Sequence, residues 1–150
     1  MEQKNVAPRQ VATKVAIKEF LEGTFLQEED PAAPGLILPS DQQISRLNLI
    51  GVVLHKEKVG NVTTFVIDDG SGKAAVRFFE ETSATSALAP GDAVLIIGRP
   101  RRYNQERYIS PEIAKKVSLP WLKLRATELA DRLGILQRKE ILAEGEIGKY

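Results

Sequence analysis

A glycine in the middle of a long extended run is the feature that most restricts how this chain can fold. Residues 44–60 read "ISRLNLIGVVLHKEKVG", an apolar-rich stretch with Gly51 near its centre. A glycine there suits a bulge or sharp bend, the device by which one long strand serves two halves of a small barrel. Two hairpins follow. "NVTTFVID" (61–68) and "KAAVRFFEE" (73–81) are β-branched and aromatic, and the turn "DGSG" joins them. "AVLIIGRPRRY" (93–103) and "ERYISPEIAKKV" (106–117) fold about Asn104-Gln105. The small-residue segment "SATSALAPGD" (83–92) between the hairpins is a crossover with room for a short helical turn.

A long strand, a hairpin, a crossover and a second hairpin predict a mainly β protein: a five-stranded, partly open Greek-key barrel of the OB type. The barrel is expected over 36–117, with "LILP" (36–39) a brief extended piece at its start. Ahead of it, residues 1–35 form an arm. Within that arm, 9–22 have Ala12, Ala16 and Phe20 at helical spacing beside Val11 and Val15, and Gly23 follows as a stop. A Pro-punctuated connector, "QEEDPAAPG" (27–35), completes it. The arm either packs on its own barrel or docks on a partner. Residues 118–136 return to an amphipathic helix, with Ser118 as cap and Gly134 as stop; 137–150 is a weakly structured tail. Leu122, Ala126, Leu129, Leu133 and Leu136 fall on one seam at heptad spacing, widened by Trp121 and Leu124. That seam either folds back on the barrel or meets helices of another subunit.

Composition removes whole classes of chemistry. There is no cysteine, which removes disulfides and thiolate zinc sites, and with one histidine a histidine-rich metal site or histidine-based triad has little to draw on. "GSGK" (70–73) resembles part of a phosphate-binding loop, but that pattern needs Gly where Ile67 stands and Ser or Thr where Ala74 stands. Asp68 and Asp69 are adjacent on an extended chain and point to opposite faces, which suits turn chemistry and not acid–base catalysis. His55 lacks a companion at ligand spacing. The expectation is a non-enzymatic protein without metal, cofactor or small-molecule substrate. No apolar run approaches the ~18 residues of a membrane span, and the polar start "MEQKNVAPRQ" is unlike a signal peptide. The protein is expected inside the cell, away from membranes.

Formal net charge is only +1, so no global basic field attracts nucleic acid. Local patterning says more. On the 73–79 strand, Ala74, Val76 and Phe78 form one apolar set, and Lys73, Ala75, Arg77 and Phe79 form the other. A large aromatic beside an arginine on the non-core face of a small barrel matches a groove in which bases stack and phosphates are tracked. Arg99, Arg101 and Tyr103 alternate in the same way, with Arg102 and Arg107 at the turn. Guanidinium forks suit phosphate, and Tyr offers a π-surface at small entropic cost. Tyr108 is a candidate third platform, and Lys56 and Lys58 would extend the phosphate track. An edge-strand arginine and a covered Phe79 remain the alternative.

"LIGVVLHKEKVGNVTTFVIDDGSGKAAVRFF" followed by "GDAVLIIGRPRRYNQERYISPE" resembles the OB domain of the middle subunit of replication protein A. The likeness rests on Ile67-Asp68-Asp69, on Val76-Arg77-x-Phe79, and on Gly98 spaced from Tyr103. With the flanks, it is similar to the archaeal replication protein A-associated proteins over roughly residues 9–133. The resemblance implies a subunit that binds single-stranded DNA in replication, repair or recombination, in the cytoplasm with the nucleoid. It makes Phe79 and Tyr103 the base-stacking pair, with Phe79 where Trp is common. It also implies that the helix from Trp121 packs on larger sister subunits.

Overall fold

The computed structural model describes residues 11–26 and 35–130. Leu133, Leu136, Gly134, most of the connector and the tail therefore lie outside the described residues. Five strands close a barrel: β5 (Leu47–Val59), β6 (Val62–Asp68), β7 (Lys73–Phe78), β8 (Ala93–Tyr103) and β9 (Glu106–Val117). Their order is β5-β6-β7-β9-β8, and a β5–β8 pairing completes the circuit. All neighbours are antiparallel except β7 and β9, which the crossover carrying α2 (Ser83–Ala87) makes parallel.

β5 does serve two partners, as the glycine predicted. Leu47 to Val52 pair with β8, and Val52 to Val59 pair with β6. The register slip falls between Val53 and His55, two residues past the expected bulge. Gly51 is needed for a different reason: a Cβ there would collide with the Ile67 side chain and meet the Asp68 carbonyl at 3.0 Å. The barrel wall crosses itself too closely for any side chain.

Alternation then builds the core. Phe65, Ile67, Ala74, Val76 and Phe78 point inward with Leu47, Leu49, Val53, Val94, Ile96 and Ile109. Phe65 and Phe78 meet edge to face, centroids 5.7 Å apart at 82°. Full burial of one such side chain typically contributes about 1.5–3 kcal/mol, so this set carries the stability of the barrel.

The arm departs from expectation. The helix predicted from residue 9 begins only at Ile17: α1 spans Ile17–Glu22. Before it, β1 (Thr13–Lys14) pairs parallel to the start of β5. The β-branched Val11, Thr13 and Val15 favour extension when a free strand edge is near. β2 (Thr24–Phe25), β3 (Leu36–Ile37) and β4 (Gln43–Ile44) form a small antiparallel sheet of their own. Hydrogen bonding thus groups 36–44 with the arm. A last helix, α3, runs over 119–130. Among the described residues no helix is long and apolar enough to cross a membrane.

Candidate nucleic-acid interface

The "DGSG" turn between β6 and β7 has a structural task. Asp69 Oδ1 accepts hydrogen bonds from the Ser71 amide at 2.9 Å and its hydroxyl at 2.6 Å. Asp69 Oδ2 accepts from the amide of Ile17 at 2.9 Å, and Ser71 Oγ accepts from the amide of Lys18 at 3.0 Å. The residue before α1 is Ala16, which has no side chain to cap a helix, so the turn caps α1 from 52 positions away. The arm is thereby fixed on its own barrel, where Val15, Ile17 and Phe20 join the core.

The outer wall of β7, β9 and β8 carries the expected aromatics. Phe79 lies just past β7 and is 54% exposed; Tyr103 closes β8 and is 66% exposed. Tyr103 precedes Asn104 and Gln105, both left-handed with φ of 51° and 70°, so the hairpin tip is a tight turn. Register brings Tyr108 between the two platforms: it sits opposite Arg101 on β8 and Ala75 on β7. Phe79 and Tyr108 meet edge to face at 6.0 Å and 70°, and the Arg77 guanidinium covers the Tyr108 ring at 4.8 Å. The aromatic whose orientation the sequence left open thus belongs to this face. From Phe79 toward α2 the surface falls into a groove of about 510 Å³, lined by Arg77, Ser110, Glu112, Ile113 and Ala84 among others.

The charges are less free than the sequence suggested. Arg77 is paired with Glu106 at 2.8 Å. Glu112 holds two arginines, Arg46 at 2.7 Å and Arg99 at 3.1 Å. Arg101 is exposed and has no ion pair among the described residues. Sequence reasoning missed Arg46, Glu106 and Glu112. Glu106 could have been found by counting across the turn, since it faces Tyr103. Glu112 could not, because it is itself the residue skipped where Gly98 pairs with Pro111 and Ile97 with Ile113.

Four expected phosphate contacts lie elsewhere. Arg102 and Arg107 emerge on the opposite side of the β8–β9 ribbon. There they stand over the Phe25 ring at 5.2 and 5.0 Å, and Arg107 Nη1 donates to the Phe20 carbonyl at 2.9 Å. Burial, then the Arg102 charge, holds the Arg107 guanidinium below the usual arginine range. Lys56 and Lys58 sit opposite Phe65 and Thr63, so they share the inward-facing parity at the barrel end. Lys56 donates to the Leu88 carbonyl at 3.1 Å, and Lys58 pairs with Glu81. His55 and Glu57 take the outward positions instead, beside Val66 and Thr64.

On α3 the expected seam divides. Leu129 is 6% exposed, and Leu122, Arg125 and Ala126 line a narrow cleft against Ala16, Ile50 and Asp69 of the same chain. Arg125 donates to the Asn48 carbonyl at 3.1 Å, and Glu128 joins Arg125 and Lys14, each at 3.2 Å. Trp121 (53% exposed), Leu124 and Leu119 remain outside.

The tRNA anti-codon family model, described as an OB-fold nucleic acid binding domain, matches residues 47–117, the five-stranded barrel from first strand to last. The barrel has the OB fold. In fold, the chain is similar to replication protein A subunits. A replication protein A heterotrimer bound to single-stranded DNA aligns with a TM-score of 0.67 and 18% identity, covering 83% of this chain and 98% of that one. Yeast replication protein A bound to single-stranded DNA gives 0.65 and 20%, over 85% and 92%. The Stn1–Ten1 complex of S. pombe gives 0.66 and 16%, over 85% and 93%. In sequence, an uncharacterized protein of Methanocaldococcus jannaschii is 33% identical over 137 residues, 91% of this chain and 55% of the relative. The chain therefore spans about 55% of that relative's length.

Proposed function

We propose that this protein is a non-enzymatic OB subunit of a replication protein A-like complex and binds single-stranded DNA in replication, repair or recombination. One observation carries the reading: Phe79, Tyr108, Arg77, Arg101 and Tyr103 share a continuous outer face of an OB barrel. Bases stack on such rings at about 1–3 kcal/mol each, with little sequence preference. Arg101, and Arg77 and Arg99 once released from their carboxylates, take phosphate. Trp121 and Leu124 on α3 are the surface offered to larger sister subunits, since Leu122 and Leu129 are engaged by the chain's own barrel.

The test is an anisotropy titration of the chain with a labelled oligo-dT of about 20–30 nucleotides across salt concentrations, with a matched oligo-U competitor. Binding should weaken with salt at a slope near −0.7 per phosphate contact, for about two to three contacts. A flat or absent response at low salt refutes it, and stronger competition by RNA reassigns the ligand.

A second reading has its own support. Three arginines on or beside the groove, Arg46, Arg77 and Arg99, are already engaged by two carboxylates, Glu106 and Glu112. An assembly subunit with little intrinsic DNA affinity would tolerate that partial neutralisation. Under this reading Phe79→Ala with Tyr103→Ala leaves complex formation and function intact.

A further inference from the structure

The two arginines that fail to reach the groove point to how its outer platform is held. Beyond Gly98, β8 has lost its β5 partner, and residues 99–108 continue as a two-stranded ribbon with β9. The backbone of β7 pairs with that ribbon only at its base, at Tyr108 and Ile109, and the exposed Arg77–Glu106 ion pair reaches further out on the front face. An isolated two-stranded ribbon is marginal in water, so a free tip would leave Tyr103 mobile and its stacking costly in entropy.

The back of the ribbon is not bare. Phe25, 8% exposed, meets both the Arg102 and Arg107 guanidiniums, which stand over its ring at 5.2 and 5.0 Å. Arg107 also donates to the Phe20 carbonyl at the end of α1, and Pro100 packs near Gly35. The two cations carry like charge, and the electron-rich ring face is what lets both stand there. The arm thus forms a third layer behind the ribbon, tied at its far end to the "DGSG" turn through Ile17 and Lys18.

We infer that Phe25, with Arg102 and Arg107, is a positioning element for the Tyr103 platform: the N-terminal arm braces the β8–β9 ribbon so that Tyr103 is presented to a stacked base. This rests on the single-strand reading for its functional consequence, but the bracing itself is measurable without any ligand. Arg102 and Arg107 are positioning residues and not phosphate contacts.

The experiment uses the full chain and four variants: Phe25→Leu, Arg102→Gln, Tyr103→Ala and Phe25→Leu/Tyr103→Ala. Backbone ¹⁵N relaxation in free protein reads the order of the Asn104 and Gln105 amides, and oligo-dT titration reads affinity and salt slope. Phe25→Leu keeps apolar bulk but removes the ring face. It should lower tip order and weaken binding by about fivefold. In the Tyr103→Ala background the same change should cost nothing further, because the platform it serves is gone. Arg102→Gln should weaken binding with an unchanged salt slope. If Phe25→Leu melts early, Arg102→Gln, on the exposed side, carries the same readouts. Unchanged order at Asn104 overturns the bracing. An equal loss with and without Tyr103 overturns its link to that platform. A slope that falls by about 0.7 in Arg102→Gln makes that arginine a phosphate contact instead. If no variant and no parent binds oligo-dT, the single-strand reading fails, and the relaxation data alone decide the brace.

Discussion

Replacing Glu112 by glutamine should tighten binding to single-stranded DNA, against the usual direction of substitutions in a binding face. The carboxylate sits between Arg46 at 2.7 Å and Arg99 at 3.1 Å, on the wall of the groove that begins at Phe79. A phosphate that takes Arg99 must first break that pair and then lie near the carboxylate left behind. Partly exposed ion pairs are worth about 0.2–1 kcal/mol. Two like charges about 5 Å apart in water repel by about 0.8 kcal/mol. Removing the Glu112 charge removes both terms, for a gain of about 1–2 kcal/mol, or roughly 5- to 30-fold in affinity. The salt slope should steepen by about 0.7 for each arginine that gains a phosphate. Fluorescence anisotropy with oligo-dT at fixed ionic strength measures both. Glu22→Gln, the same charge change at the exposed end of α1, controls for net charge. Affinity unchanged or reduced in Glu112→Gln, or matched by Glu22→Gln, would refute the view that carboxylates restrain this groove.

Phe79→Ala and Tyr103→Ala should each weaken oligo-dT binding by about 1–3 kcal/mol, nearly additively in the double variant because Tyr108 stands between them. Thermal melting of both should match the parent, since each ring is more than half exposed. Asp69→Ala strands the Ile17 amide and loosens the start of α1, a loss of about 2–3 kcal/mol; calorimetry should show Tm lower by about 5–10 °C. Hydrogen bonding from Lys14, then charge from Lys14 and Arg125, holds the Glu128 carboxyl below its usual range. Its contribution to docking α3 is therefore present above the ordinary carboxylate range and lost as pH falls through the depressed midpoint. Lys14→Ala should raise that midpoint in a ¹³C NMR titration, and an unmoved midpoint discards the link between β1 and α3.

Much of the barrel was legible because strand parity is a local property. Ala74, Val76 and Phe78 against Arg77 and Phe79, and Arg101 and Tyr103 across a turn from Glu106, follow from a period of two and a two-residue hairpin. Gly51 marked the shared strand correctly, although steric closeness to Ile67, not the bulge, demands the glycine. The shortened α1 escaped because Thr13–Lys14 were drawn to a strand edge more than 30 residues away in sequence.

The sequence by itself determined the inward sets of β6 and β7 and kept Phe79 and Tyr103 outside, because neighbours along an unbulged strand settle that without reference to anything distant. Tertiary structure decided the rest. It turned Arg102 and Arg107 onto Phe25, set Glu112 on Arg46 and Arg99, and laid Leu129 of α3 against the barrel. A charge becomes free or engaged, and an apolar face open or covered, only when chain closure brings the remote partner within a few ångströms. That meeting depends on register shifts and loop paths, which local pattern does not encode.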